Sequence, residues 1–192
     1  IPNLELYMDQ VTGFMDSHLA TIKRHPEDKV LTKTMINNYA KNKLLPPPDK
    51  KRYSREHMLI LLFIYYYKSI LQLNDIEAIL RPLKEKYFGG QGDAKLKDIY
   101  DEIFDLEPAV KEKTLRDVGE MGVNAQETFQ ESDPRFQHLS DEDRKELQLF
   151  LFLCEIGTDI YLKKLLMEKV ADQLHDLDLE RQAAERASKM KK

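Results

Sequence analysis

The sequence has little glycine, one cysteine and no tryptophan: seven glycines and a single cysteine occur in 192 residues. Because the phosphate loops of Rossmann and P-loop proteins depend on glycine, its scarcity argues against a nucleotide site of either kind. A single cysteine excludes a disulfide framework and a cysteine metal cluster, and it is typical of a reducing, cytoplasmic compartment. The five histidines show no paired or HExxH spacing. We therefore expect neither a metal site nor a cofactor.

Long apolar segments are also missing. The two longest runs cover residues 58–67 and 149–154, whereas a membrane-spanning helix needs about 20 apolar residues. We therefore expect no membrane association, and both runs are interpreted as buried core helices, with Cys154 as a small core residue. The chain opens without a basic region followed by an apolar stretch, so no signal peptide is expected. No nucleophile elbow or other catalytic motif is visible, and the chain is not expected to be an enzyme.

Charged residues make up 33% of the sequence, and they lie between apolar residues that recur periodically. With little glycine, this composition predicts a mainly α fold. One helix is expected over residues 4–24, where apolar residues recur at steps of three and four. A short helix is expected to begin at Thr32 and a longer one, running to about Ser69, at Ser54, because the hydroxyls of both residues can satisfy amides of the first turn. Three prolines at 46–48 forbid helix between them.

Further helices are predicted after residue 73. The first starts at Leu73 and is kinked or restarted by Pro82, and the glycine-rich residues 89–92 form the best boundary. Two helices should follow, one over the apolar stripe from Leu96 to Leu106 and one starting near Pro108. A long helix from Asp141 to about residue 179 is apolar on nearly every side over residues 147–170, which predicts a central buried helix. The tail from residue 180 should fray. We therefore predict two domains, residues 1–88 and 93–192.

Charge is distributed unevenly along the chain. Residues 21–68 carry eleven basic and four acidic side chains, a net charge of +7, although the whole chain carries -4. The remainder must therefore carry -11. A basic patch of this size is typical of a phosphate-binding surface, because each neutralised phosphate releases counterions. The alternative is a charged face that is simply solvated.

The order of elements favours the phosphate-binding interpretation. A capped short helix with polar outer residues is followed by a proline-stiffened segment, a basic tip at Lys50, Lys51 and Arg52, and two more helices. This is the layout of a winged helix-turn-helix, in which the short helix enters the major groove and the tip lies along the phosphates.

The same residues resemble two families. The stretch Leu-Thr-Lys-Thr-Met-Ile-Asn-Asn-Tyr at 31–39, then Leu-Leu-Pro-Pro at 44–47, Arg-Tyr-Ser-Arg-Glu-His-Met at 52–58 and Leu-Asn-Asp-Ile-Glu-Ala-Ile-Leu at 73–80 is similar to the DNA-binding domain of MerR-type regulators. The MerR recognition helix usually carries arginine where Asn37 stands and a second aromatic where Asn38 stands. The motif at 31–39 is also a hallmark of a bacterial family classed as a domain of unknown function, a resemblance that would cover most of the chain.

The MerR resemblance implies an N-terminal winged helix-turn-helix with a small β wing, followed by a C-terminal helical bundle. It implies a sequence-specific transcriptional regulator that binds double-stranded DNA as a homodimer. Its acidic C-terminal half would dimerise, sense a small-molecule effector, or do both. The positions that match the DNA-binding motif are Lys33, Thr34, Asn37, Asn38, Tyr39, Lys41, Lys50, Lys51 and Arg52. Tyr39 has a core position as its alternative. The alternative function is a protein-interaction module that kept the winged-helix frame without DNA binding.

Overall fold

The computed structural model describes residue 1, residues 4–90 and residues 92–190, and the fold is mainly helical with a small two-stranded antiparallel sheet near the N-terminus, as predicted. The chain divides into two compact units. One comprises Ile1–Asp101 with Glu168–Lys192, and the other comprises Glu102–Met167. The predicted domains 1–88 and 93–192 stay a prediction. In the described part of the chain, every helix falls short of the length and apolarity that crossing a bilayer requires.

The N-terminal segment of the first unit begins with a strand. Strand β1 (Leu6–Tyr7) precedes helix α1 (Met8–His18) and a 3-10 turn (Ala20–Ile22). The predicted continuous helix over residues 4–24 is therefore wrong at both ends. Leu6 and Tyr7 pair antiparallel with Tyr53 and Arg52 of strand β2 (Arg52–Tyr53), and this ladder competes with a helical start.

Both predicted N-caps are confirmed. Helix α2 (Lys33–Lys41) begins after Thr32, whose Oγ1 accepts a hydrogen bond from the Met35 amide at 3.2 Å. Helix α3 (Arg55–Tyr67) begins after Ser54, whose Oγ accepts from the His57 amide at 3.5 Å. These caps satisfy amide groups that the first helical turn leaves without partners.

Helix α3 is the centre of the first unit, because its residues 57–64 are all buried. Around it lie further buried apolar side chains from the other elements: Val11, Met15, Ile36, Leu44, Leu45 and Ile76. Helix α4 (Leu73–Tyr87) continues through Pro82 rather than restarting there. The chain turns at Gly89 and Gly90, whose φ angles of 80° and 68° suit glycine. Gln91, within the predicted boundary, lies outside the described residues.

Three further helices follow. Helix α5 (Leu96–Phe104) crosses the boundary between the units, helix α6 (Glu107–Gln126) starts beside Pro108 as expected, and helix α7 (Asp141–Met190) runs 50 residues. The tail predicted to fray is helical as far as Met190, and Lys191 and Lys192 lie outside the described residues.

The prediction that residues 147–170 form a buried central helix is wrong. Large apolar side chains on this part of α7 are exposed, among them Leu149, Leu153 and Ile160. Cys154 is exposed as well, so its predicted core position is also wrong. The apolar pattern was interpreted as burial within the chain, but only one face of this helix packs on α6: Phe152 lies 3.8 Å from the position that a Cβ on Gly122 would occupy.

Candidate nucleic-acid interface

The outer face of α2 is polar and open. Five of the predicted contact residues lie there with exposed side chains: Lys33, Thr34, Asn37, Asn38 and Lys41. Their spacing of three and four residues places them on one side of the helix. Amide and ammonium groups on an exposed helical face can donate hydrogen bonds to base edges and phosphate oxygens.

The inner face of α2 fixes the helix to the core. Ile36 is fully buried and Tyr39 is only 4% exposed, and burial raises the pKa of the Tyr39 phenol. Tyr39 therefore occupies the core position that was its alternative, and it does not belong to the exposed face. The buried inner face therefore holds the exposed outer face of α2 in a fixed orientation relative to the core of the first unit.

The basic tip is a tight hairpin. The Arg52 amide donates to the Asp49 carbonyl at 2.7 Å, and the two intervening lysines both have left-handed backbone conformations, with φ of 45° at Lys50 and 65° at Lys51. Positive φ at both central residues is the signature of a type I′ turn, which ordinarily takes Asn-Gly. Lysine in these positions costs backbone energy. The turn thus holds two exposed ammonium groups at the cost of conformational strain.

The N-terminal segment joins the hairpin to α2. Glu5 forms an ion pair with Arg52 at 2.9 Å, and Asp9 forms an ion pair with Lys33. Residues 5–9 therefore contact both the start of α2 and the base of the hairpin, and they partly neutralise two of the predicted phosphate contacts. Among the described residues, Lys41, Lys50 and Lys51 have no such partner. These three side chains are the unpaired cations among the predicted contact residues, all of which the structure describes.

Sequence reasoning missed the role of residues 5–9. The carboxylates of Glu5 and Asp9 and the half-exposed ring of Tyr7 lie beside Arg52 and Lys33 only because β1 pairs with β2. A two-residue strand has no periodic pattern of its own, so the local sequence gave no signal for this pairing.

His57 fixes the hairpin to the start of α3. The Ser54 amide donates to His57 Nδ1 at 3.0 Å, which requires an unprotonated Nδ1, and Nε2 lies 3.4 Å from the Pro47 carbonyl oxygen. The imidazole is 5% exposed and packs edge-on against the rings of Tyr53 and Phe88. Burial lowers the pKa of His57, and the hydrogen bond to Pro47 opposes this only in part. The neutral imidazole of His57 therefore contacts both ends of the segment 47–54 and holds them together.

Lys84 of helix α4 supports the C-terminal end of α2. Lys43 follows the helix with a φ of 61°, and the amides of Leu44 and Leu45 both donate to the Tyr39 carbonyl. The Lys84 ammonium on α4 donates to the Lys43 carbonyl and lies 3.9 Å from Glu77. Burial lowers the pKa of Lys84. Helix α4 thus supports the carbonyl end of α2 with a partly buried cation.

Helix α4 also binds the C-terminal part of α7 through a buried carboxylate. Asp178 is 3% exposed, and it accepts from Arg81 at 3.2 Å, from Arg181 at 2.5 Å and from Gln182 at 2.9 Å. Arg81 also pairs with Glu77. A buried carboxylate is tolerated because these donors satisfy its oxygens.

A groove of about 1200 Å³ runs beside this network, within the first unit. Its apolar wall includes Leu44, Leu73 and Phe88, and its polar wall includes Arg81 and His175. The Nδ1 atom of His175 is buried without a hydrogen-bond partner among the described residues. Among the same residues, no group of three or more histidine, cysteine or acidic side chains is placed to hold a metal ion.

Together these features define a class: a mainly helical domain that displays a polar helix face and a strained basic hairpin. The chain belongs to the family described as Domain of unknown function (DUF1836), whose model matches residues 1–103. This match confirms the resemblance to a domain-of-unknown-function family over those residues, which include α2, the hairpin, α3 and α4. Neither the curated proteins nor the solved structures contain a match to the chain.

Proposed function

We propose that the protein is a dimeric, MerR-like transcriptional regulator that binds double-stranded DNA through the outer face of α2 and the hairpin at Asp49–Arg52. Helix α2 enters the major groove and contacts base edges through Asn37 and Asn38. Lys50 and Lys51 lie along the phosphates. Lys33 and Arg52 contribute less, because Asp9 and Glu5 partly neutralise them.

The observation that carries this proposal is the conformation of the hairpin. Two lysines occupy left-handed backbone positions where asparagine and glycine would fit without strain. Strain of this kind is retained where the side chains have a role that other residues cannot fill. Two adjacent, exposed, unpaired ammonium groups on a braced turn suit contact with a polyanion.

The character of the surrounding surface supports DNA over the alternative, a protein-interaction module. Over residues 32–53, all of which the structure describes, no large apolar side chain is exposed, whereas the segment leading into and forming β1 exposes Leu4 and Tyr7. A protein-docking face would be expected to show an apolar patch there. The exposed side chains of α2 are amides, a hydroxyl and ammonium groups instead.

The proposed effector is a small molecule that occupies the groove between α4, the turn after α2 and the C-terminal part of α7. The groove combines an apolar wall with many polar and charged groups, which could orient a polar small molecule. It also lies against Lys84 and Arg81, which support α2. A bound molecule there would contact the elements that orient the DNA-binding helix.

The test is salt-dependent binding to genomic DNA fragments by the full chain. The slope of log affinity against log salt should be negative by roughly 0.9 for each phosphate contact. Replacing Lys50 and Lys51 with alanine should reduce this slope by about 1.8. The matched control is Lys111→Ala with Lys113→Ala, which removes the same charge from exposed positions on α6. Binding that is absent, or insensitive to the hairpin variant, would refute the proposal.

A further inference from the structure

The second compact unit has almost no core of its own. Throughout residues 102–167, all of which the structure describes, Ala125 is the one buried side chain. A helical unit of this length cannot offset its conformational entropy without burying apolar surface. The unit therefore needs a partner surface.

Helix α7 carries an unpartnered apolar stripe. Its large members are each between 58% and 64% exposed. The stripe recurs at steps of three and four residues and consists of Leu149, Phe150, Leu153, Cys154, Gly157, Ile160 and Tyr161. The opposite face of α7 is the one that packs on α6: Phe152 approaches Gly122, and the Gln148 side chain donates to the carbonyls of Gln126 and Thr128. Helix α7 thus has two apolar faces, and in the part of the chain that the structure describes only the face toward α6 has a packing partner.

The glycine in this stripe points to a close helix-helix contact. A Cβ added to Gly157 would meet no atom within 4 Å, and glycine inside a helix costs about 1 kcal/mol relative to alanine. No close neighbour among the described residues requires glycine at this position. Glycine is useful where another backbone must approach closely.

The exposed area matches what a stable dimer needs. The chain exposes 13757 Å², whereas two separate compact bodies of these lengths would expose only about 11,000 Å². The excess, roughly 2,500 Å² per chain, lies at the upper end of what each partner of a permanent homodimer buries.

Charge complementarity selects the partner and its direction. Residues 141–146, before the stripe, contain four acidic and two basic side chains, whereas residues 162–167, after it, contain two lysines and no acid. An antiparallel pair of identical helices places the acidic end of one against the basic end of the other. A parallel pair would place like charges together.

We infer that the stripe on α7 is the interface with a second copy of this chain, paired antiparallel about a two-fold axis near Cys154. Leu149 and Phe150 then pack against Ile160 and Tyr161 of the second copy, and the reverse contact follows by symmetry. The inference extends the dimer in the proposed function. It depends on different residues, and its test needs no DNA.

The first measurement is the mass of the full chain in solution by light scattering during size-exclusion chromatography. The native chain should be a dimer at micromolar concentrations. Leu153→Glu and Ile160→Glu should each convert it to a monomer and lower its helical circular dichroism, because residues 102–167 then lose the partner surface that they need. Leu166→Glu is the matched control, because Leu166 is equally exposed but lies on the other face of α7. A monomeric native chain, or a dimer disrupted by the control rather than by the stripe variants, would overturn the inference.

The second measurement uses the native cysteine and needs no disruptive substitution. Oxidation with a copper–phenanthroline catalyst should link the two copies through Cys154, which lies near the axis. In a Cys154→Ser background, Leu149→Cys alone should not cross-link, because an antiparallel pair holds the two copies of this position about a dozen residues apart, or roughly 18 Å. Phe150→Cys combined with Ile160→Cys should cross-link. Cross-linking by Leu149→Cys alone would show parallel pairing and overturn the inferred direction.

Discussion

Replacing Lys50 with asparagine and Lys51 with glycine should make the protein more stable and its DNA binding weaker. Both lysines have positive φ angles, and each left-handed non-glycine residue costs about 1 kcal/mol. Asn-Gly fits the same turn without that strain. After subtracting roughly 0.5–1 kcal/mol for the added freedom of glycine in the unfolded chain, we expect a net gain of about 1 kcal/mol. For a chain of this length, that gain raises Tm by about 2–4 °C.

The effect on DNA binding follows from the two lost cations. Two fewer phosphate contacts reduce the salt slope by about 1.8, which over the decade from 0.1 to 1 M amounts to a roughly 60-fold loss of affinity at 0.1 M salt. The affinities of the variant and the native chain should converge near 1 M. Calorimetry gives the Tm, and fluorescence anisotropy with labelled genomic fragments gives the affinity.

Two outcomes would refute this reasoning separately. A fall in Tm would show that the lysines are not strained in the turn. Unchanged affinity would show that the hairpin does not contact phosphates. Lys111→Gln with Lys113→Gln is the control, because it removes the same charge from helix α6 and should alter neither the slope nor the affinity.

Three further predictions concern the supports of the site. Thr32→Ala removes the acceptor for the Met35 amide and should lower the free energy of unfolding in urea by about 1 kcal/mol, whereas Thr32→Ser should be nearly neutral. Burial lowers the pKa of His57 below its usual 6.5, so the unfolded chain binds the proton first. The stability of the fold is therefore full above pH 6.5 and declines as the pH falls below it. His57→Gln should make that decline less steep, and a decline of unchanged steepness would contradict the role of this imidazole. Asp178→Ala leaves Arg81 and Arg181 without their shared carboxylate and should cost about 2 kcal/mol, below the range for a fully buried pair because both arginines keep about a quarter of their exposure; Asp178→Asn should cost less, and equal costs would show that the charge is not what matters.

Features that depend on neighbouring residues could be predicted from the sequence. Thr32 and Ser54 cap their helices because a hydroxyl three residues before a free amide suffices, wherever the helix lies in the fold. The same holds for the helix starting beside Pro108. The polar outer face of α2 also follows from local spacing, since Ile36 and Tyr39 mark the inner face.

Features that depend on residues far apart in the sequence could not be predicted from it. The strand β1 forms only because residues 6 and 7 meet residues 52 and 53. Likewise, an apolar stretch indicates that a helix face is covered, but it does not indicate which surface covers it. Residues 147–170 were therefore predicted to lie inside one chain, although Leu149 and Leu153 are exposed. The strained backbone at Lys50 also had no sequence signal, because turn preferences predict asparagine or glycine there.

The bond between Lys84 and the Lys43 carbonyl makes α2 mechanically dependent on the C-terminus of the chain. Lys84 lies near Glu77, Glu77 holds Arg81, and Arg81 holds Asp178. A displacement of residues 178–182 therefore pulls on the helix that carries Asn37 and Asn38. Helix α2 is therefore linked to the C-terminal part of α7, and the groove lined by Arg81 and His175 lies beside the contacts that link them.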